Sequence, residues 1–192
     1  PELVAPVGSV PTILDGYWQS PRYFDNVAAT LVRKILPNQS ATRLPRDLLW
    51  ELRDPTSLVV GIRVYEETSD PAAHALQGQV TTPEDYSRAL EYLIDAHNIR
   101  KAFVFSTSPR PYIDAISWPI PFSVVNTHAM GATDFDVLWL LSQSPNHLLN
   151  NSSFYWWGAW LSDQIHGSNV GIKMASSNFL NSEIYPQHWQ TY

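Results

Sequence analysis

The chain has 192 residues, with 18 Asp and Glu against 12 Lys and Arg, a formal charge of −6, and no cysteine. That charge is too negative for a nucleic-acid groove, although one or two well-placed arginines suffice for a single phosphate ligand. The missing cysteines exclude disulfide frameworks, thiol catalysis and thiolate-ligated zinc.

Hydrophobic residues make up 44% of the chain, enough to fill a core. No apolar run approaches the roughly 20 residues of a membrane span, and no signal peptide is visible. The first residue is Pro1 rather than Met, so the expectation is that an N-terminal portion precedes this sequence.

Residues 1–19 carry Pro and Gly punctuation and read as loop or short extended pieces. Phe24, Val27, Ala28, Leu31, Val32 and Ile35 then fall at helical spacing, and Pro37 ends the run. Residues 38–56 are polar and proline-punctuated around an apolar island at Leu48–Trp50. Ser57–Val64, SLVVGIRV, is a short β-branched run of the kind that forms a strand buried on both faces. Thr82-Pro83-Glu84-Asp85 is a helix start: a cap, a proline in the first turn, then acids at the positive end of the helix dipole. Tyr86, Leu90, Leu93 and Ile94 supply that helix with its apolar face.

Ala102–Ser106 predicts a second strand, and a Pro-rich connection over 108–121 leads to a third at Phe122–Asn126. A helix from about Thr133 is expected to bury Phe135, Leu138, Trp139 and Leu141 or Ser142. His147–Asn151 is a fourth strand, Ser153–Gln164 a tryptophan-rich helix and Asn169–Met174 a fifth strand. Strands alternating with helices predict an α/β fold, a Rossmann-like parallel sheet with helices on both faces. Such sheets bind ligands beyond the carboxyl ends of their strands.

The segment NNSSFYWWGAW at 150–160 stands at one of those ends. Asn150 and Asn151 close a strand, and Ser152 or Ser153 caps the next helix. The helix start would present backbone N–H groups and hydroxyls at the positive end of a dipole, an anion site. Behind them the aromatics would lock the helix, with Gly158 allowing close helix–sheet contact. Arg63 stands at the end of SLVVGIRV, where a guanidinium can hold a diphosphate bidentately or pair with a nearby acid. Asp134-Phe135-Asp136 has the look of a metal-binding acid pair, but acids at a helix start stabilise the dipole without any metal. The six histidines are scattered singly and read as surface or core residues.

GYWQSPRYF, the strand ending in an arginine loop, DVLWLLS, NNSSFYWWGAWL and the closing P-x-x-W together resemble the α-1,2-fucosyltransferases of glycosyltransferase family 11. The likeness runs from about Gly16 to Trp189, and NSSFYWWGAWL is its most specific part. The resemblance implies the donor-binding half of a GT-B-like enzyme, lacking the family's N-terminal portion. Residues 1–56 would be the remainder of the acceptor-side half with a connecting helix, and 57–192 the nucleotide-sugar-binding domain. It implies transfer of L-fucose from GDP-fucose to O2 of a galactose-containing acceptor, with inversion, no cofactor and no metal.

By the same resemblance, Arg63 matches the phosphate-binding arginine, Asp136 the acid that contacts guanine, and Ser152 and Ser153 the serines on the diphosphate. Asn151 joins them on the donor. The catalytic base is expected in the loop after Arg63, at Glu67 or Asp70. Tyr17 and Trp18 are candidates to stack on the acceptor sugar. The chain departs from the family's His-x-Arg-Arg-x-Asp, reading Gly61-Ile62-Arg63-Val64-Tyr65-Glu66 there. One guanidinium and the imidazole are therefore absent. Two alternatives stay open: a non-catalytic nucleotide-sugar-binding relative, and a transferase with a different nucleotide sugar. Partners are thus a nucleotide sugar and a glycan, with no nucleic acid. The expected location is cytoplasmic, with peripheral membrane association as a variant.

Overall fold

The computed structural model describes residues 20–36, 44–63, 81–107, 110–178 and 182–192. Its strands are β1 (Ser57–Ile62), β2 (Lys101–Ser106), β3 (Phe122–Val124), β4 (His147–Leu149), β5 (Lys173–Ala175) and β6 (Gln190–Thr191). They form one sheet in the order β3-β2-β1-β4-β5-β6, with every neighbouring pair parallel. The helices are α1 (Ala28–Ile35), α2 (Arg46–Leu52), α3 (Pro83–His97), α4 (Arg110–Asp114), α5 (Asp134–Ser142) and α6 (Ser153–His166).

Successive strand residues point to opposite faces, and the central strands divide their side chains between two cores accordingly. Leu58, Val60 and Ile62 of β1 join Ala102 and Val104 of β2 under α3, which contributes Tyr86, Ala89, Leu90 and Leu93. Val59, Phe103 and Phe105 face the other way, against Trp139 and Leu140 of α5 and Trp156, Ala159 and Trp160 of α6. Both faces are therefore covered, which is why all six residues of β1 are buried. The expected α/β sheet with helices on both sides is present. Among the described residues no helix is long and apolar enough to cross a membrane.

The tryptophan helix is apolar around most of its circumference because three layers meet on it. Phe24, just ahead of α1, stacks on Trp157 at 4.9 Å between ring centroids and meets Trp160 edge-on at 5.0 Å. Trp156 and Trp189 lie 5.7 Å apart, and the Trp156 indole donates to the Ile184 carbonyl at 3.0 Å. Gly158 serves a contact other than the expected one. A Cβ there would lie 2.6 Å from Leu141 Cβ, so the glycine admits α5, not the sheet.

Other expectations are corrected locally. Phe135 is 63% exposed, and α5 buries Trp139, Leu140, Leu141 and Ser142 in its place. Residues 46–52 and 110–114, within the segments read as proline-punctuated and as a Pro-rich connection, are the short helices α2 and α4; each is too short for a helical period to show in sequence. The sixth strand was not foreseen, since two residues carry no alternation.

Candidate functional site

From β1 the chain winds outward through β2 to β3, then returns to the other side of β1 as β4. The order therefore reverses between β1 and β4, and connections on the two sides leave a crevice beyond the strand ends. A cavity of about 370 Å³ opens there. Arg63 enters it from the end of β1, and Phe105, Ser106 and Thr107 from the end of β2. Val125 and Thr127 follow β3, Asp134 and Val137 belong to the start of α5, and Ser152 to Tyr155 form the start of α6. The lining thus combines apolar side chains with hydroxyls, one guanidinium and one carboxylate.

The start of α6 differs chemically from the other helix starts on the sheet. Thr82 and Thr133 each close a full capping box, with Asp85 and Asp136 as reciprocal partners. Ser152 holds the N-cap position of α6 but makes no side-chain cap bond. The first N–H groups of that helix lie at the positive end of its dipole, on the same cavity as Arg63. This wall suits an anion.

Arg63 is held at both ends. Its Nη1 donates to Thr107 Oγ1 at 2.6 Å, and its backbone carbonyl accepts from Asn150 Nδ2. Tyr155 lies beside it, 6% exposed, with its hydroxyl 3.4 Å from the Ile62 carbonyl. Burial pushes the Tyr155 phenol well above its ordinary pKa, against the opposing pull of the Arg63 charge, so the group stays neutral. The same ring explains Gly61: a Cβ there would lie 2.5 Å from Tyr155 Cγ. Where the fucosyltransferase motif carries an imidazole, this chain has an aromatic ring entering from the facing helix.

Of the residues singled out from sequence, Arg63, Ser152 and Ser153 meet on the cavity. Asn151 is buried at the turn between β4 and α6 and is not part of the cavity wall. Asp136 accepts from the Thr133 backbone N–H at 2.8 Å and from its hydroxyl at 2.7 Å, so its carboxylate serves the cap. The acid on the cavity wall is Asp134. Tyr17, Trp18, Glu67 and Asp70 lie outside the described residues. Ser106, Thr107 and Thr127 were overlooked in the sequence, although the strand-end rule that selected Arg63 applies equally to AFVFST and to the residues after β3.

At the opposite, amino-terminal edge of the sheet a second polar cluster is buried. Asp163 and Lys173 pair at 2.7 Å, each side chain 1% exposed, and the Trp189 indole donates to Asp163 Oδ2 at 2.7 Å. His147 lies beside them, 1% exposed, with Nε2 3.0 Å from the Ser144 carbonyl. Burial, and secondarily the Lys173 charge, lowers its pKa to about 3. This cluster joins α6 to β5 and the chain's last residues and lies away from the cavity.

No protein-family model matches the chain. It is similar to an α-1,2-colitosyltransferase of Escherichia coli, 29% identical over 189 residues, which is 92% of this chain and 58% of the relative. It is also similar to the O-antigen biosynthesis glycosyltransferase WbnK of Escherichia coli, 26% identical over 154 residues, covering 77% of this chain and 50% of that protein. The chain thus spans about half the length of the curated relatives it matches.

Proposed function

We propose that the chain is the donor-binding part of a GT-B-like glycosyltransferase that moves L-fucose from GDP-fucose to O2 of a galactose-containing acceptor, with inversion. The observation that carries this reading is the meeting of Arg63 and the uncapped start of α6 on one cavity at the sheet's switch point. Both relatives bear glycosyltransferase names, which supports the reaction class.

In such a transfer the acceptor oxygen attacks the anomeric carbon as the bond to the β-phosphate oxygen breaks. Charge then grows on the leaving diphosphate. Arg63, the Ser152 and Ser153 hydroxyls and the first N–H groups of α6 stabilise it without having to reorganise. The acceptor's proton passes to a base, Glu67 or Asp70 in this reading. The apolar lining residues Phe105, Val125 and Val137 take the nucleoside, and Asp134 accepts hydrogen bonds from it. Asp134 replaces Asp136 in that role because it is the acid on the cavity wall. Tyr17 and Trp18 remain the proposed acceptor contacts, and no metal or cofactor takes part.

The name of the first relative favours a second reading of the donor sugar, colitose.

Calorimetric titration tests the donor site. GDP is expected to bind, UDP to bind at least tenfold more weakly, and Arg63→Ala to lose GDP. A folded chain that takes up no GDP would overturn the reading. Transfer from GDP-fucose and from GDP-colitose, compared in the full-length protein, then decides the sugar.

A further inference from the structure

We infer that Asn150 and Tyr86, with Tyr155, are positioning residues that hold Arg63 in its anion-binding place; this rests on the donor-site reading above. The β1–β4 ladder stops at the Gly61–Leu149 register pair, one residue short of the end of β1 and two short of Arg63. The β1–β2 ladder runs on to Ile62–Ser106, and beyond the β4 pairing side chains reach the end of β1 as well. The Gly61 carbonyl accepts from Tyr86 Oη at 2.8 Å, the Ile62 carbonyl from Tyr155 Oη at 3.4 Å, and the Arg63 carbonyl from Asn150 Nδ2. The donors come from α3 on one face of the sheet, α6 on the other, and the residue that follows β4. Three successive carbonyls are thus gripped from three directions, and Thr107 holds the guanidinium at the far end.

Asn150 is the most telling of these. It is 2% exposed, and its Oδ1 is buried with no hydrogen-bond partner among the described residues. A buried acceptor left unsatisfied lowers stability. The amide is thus held with one end unpaired, and what it provides is the donor on the Arg63 carbonyl. A pre-placed guanidinium loses little freedom when it meets a phosphate, so the grip is felt in ligand affinity.

The test is Asn150→Leu, with Tyr86→Phe as a second variant that removes only a hydroxyl. Both are examined by urea denaturation, GDP titration and NMR of the Arg63 Nε–H. Asn150→Leu removes one unpaired acceptor but leaves the Arg63 carbonyl without its donor, so the denaturation midpoint should change little, while GDP weakens roughly tenfold, the worth of about one hydrogen bond, and the Nε–H becomes more mobile on the nanosecond scale. Two results overturn the inference: wild-type GDP affinity in Asn150→Leu, or an Arg63 Nε–H as rigid in both variants as in the wild type. If the wild-type chain binds no GDP, the donor-site reading falls, and the Nε–H mobility of the two variants alone decides the positioning role.

Discussion

Replacing Gly61 by alanine probes the packing that separates this strand end from that of the fucosyltransferases it resembles. The added Cβ would meet Tyr155 Cγ at 2.5 Å, Cδ2 at 2.8 Å and Cβ at 2.9 Å. The nearest of these falls nearly an ångström inside ordinary contact, and two are the root of the side chain. The ring cannot escape by rotating its tip. Either α6 must move from the sheet or β1 must bow, and overpacking of this kind costs about 1–3 kcal/mol. Urea denaturation monitored by tryptophan fluorescence would show this as a lowered midpoint with an unchanged slope. In a Tyr155→Ala background, already weakened by the loss of the ring, the same Gly61→Ala change should cost nothing further or restore part of the loss. Gly61→His should likewise be tolerated only when Tyr155 is shortened. Wild-type stability for Gly61→Ala, or an equal cost in both backgrounds, would refute the coupling.

Acid should weaken the fold through His147. Its pKa falls from 6.5 to about 3 on folding, so between those values the unfolded chain binds a proton that the folded chain does not. Stability is therefore lost as pH drops below 6.5, by about 2 kcal/mol at pH 5 for a fully unprotonated folded-state His147. His166, also lowered by burial and Lys173, adds in the same direction. Urea midpoints at pH 7.5 and about pH 5 should converge in His147→Gln relative to wild type; identical pH dependence in the two proteins would count against this origin. The two acids of α5 should separate cleanly. Asp136→Ala should lower stability by about 1 kcal/mol through the lost capping box while keeping the GDP-over-UDP preference, whereas Asp134→Asn should keep stability and lose the preference. The opposite pattern in calorimetry and denaturation would return the nucleoside contact to Asp136.

The parallel sheet was legible because its strands are buried on both faces. SLVVGIRV and AFVFS then read as near-continuous apolar runs, and the TTPED start of α3 announces itself through its cap. Arg63 and Ser152 were legible for a related reason: each lies within three residues of a strand's carboxyl end, where parallel sheets hold ligands. Phe135 was misread because helical spacing alone does not say which side of α5 meets the sheet. Asp134 and Asp136 are chemically equivalent in sequence; only the capping geometry assigns one to the helix and the other to the cavity.

The local pattern of apolar runs, caps and strand-end polar residues thus determined the fold class and pointed to the end of the sheet where the cavity opens. Contacts between residues far apart in the chain decided the rest. The Gly61–Tyr155 fit and the grip of Tyr86 and Asn150 on the end of β1 join positions 25 to 94 residues apart. No short-range periodicity encodes such pairs, because they exist only once the strands and helices have packed.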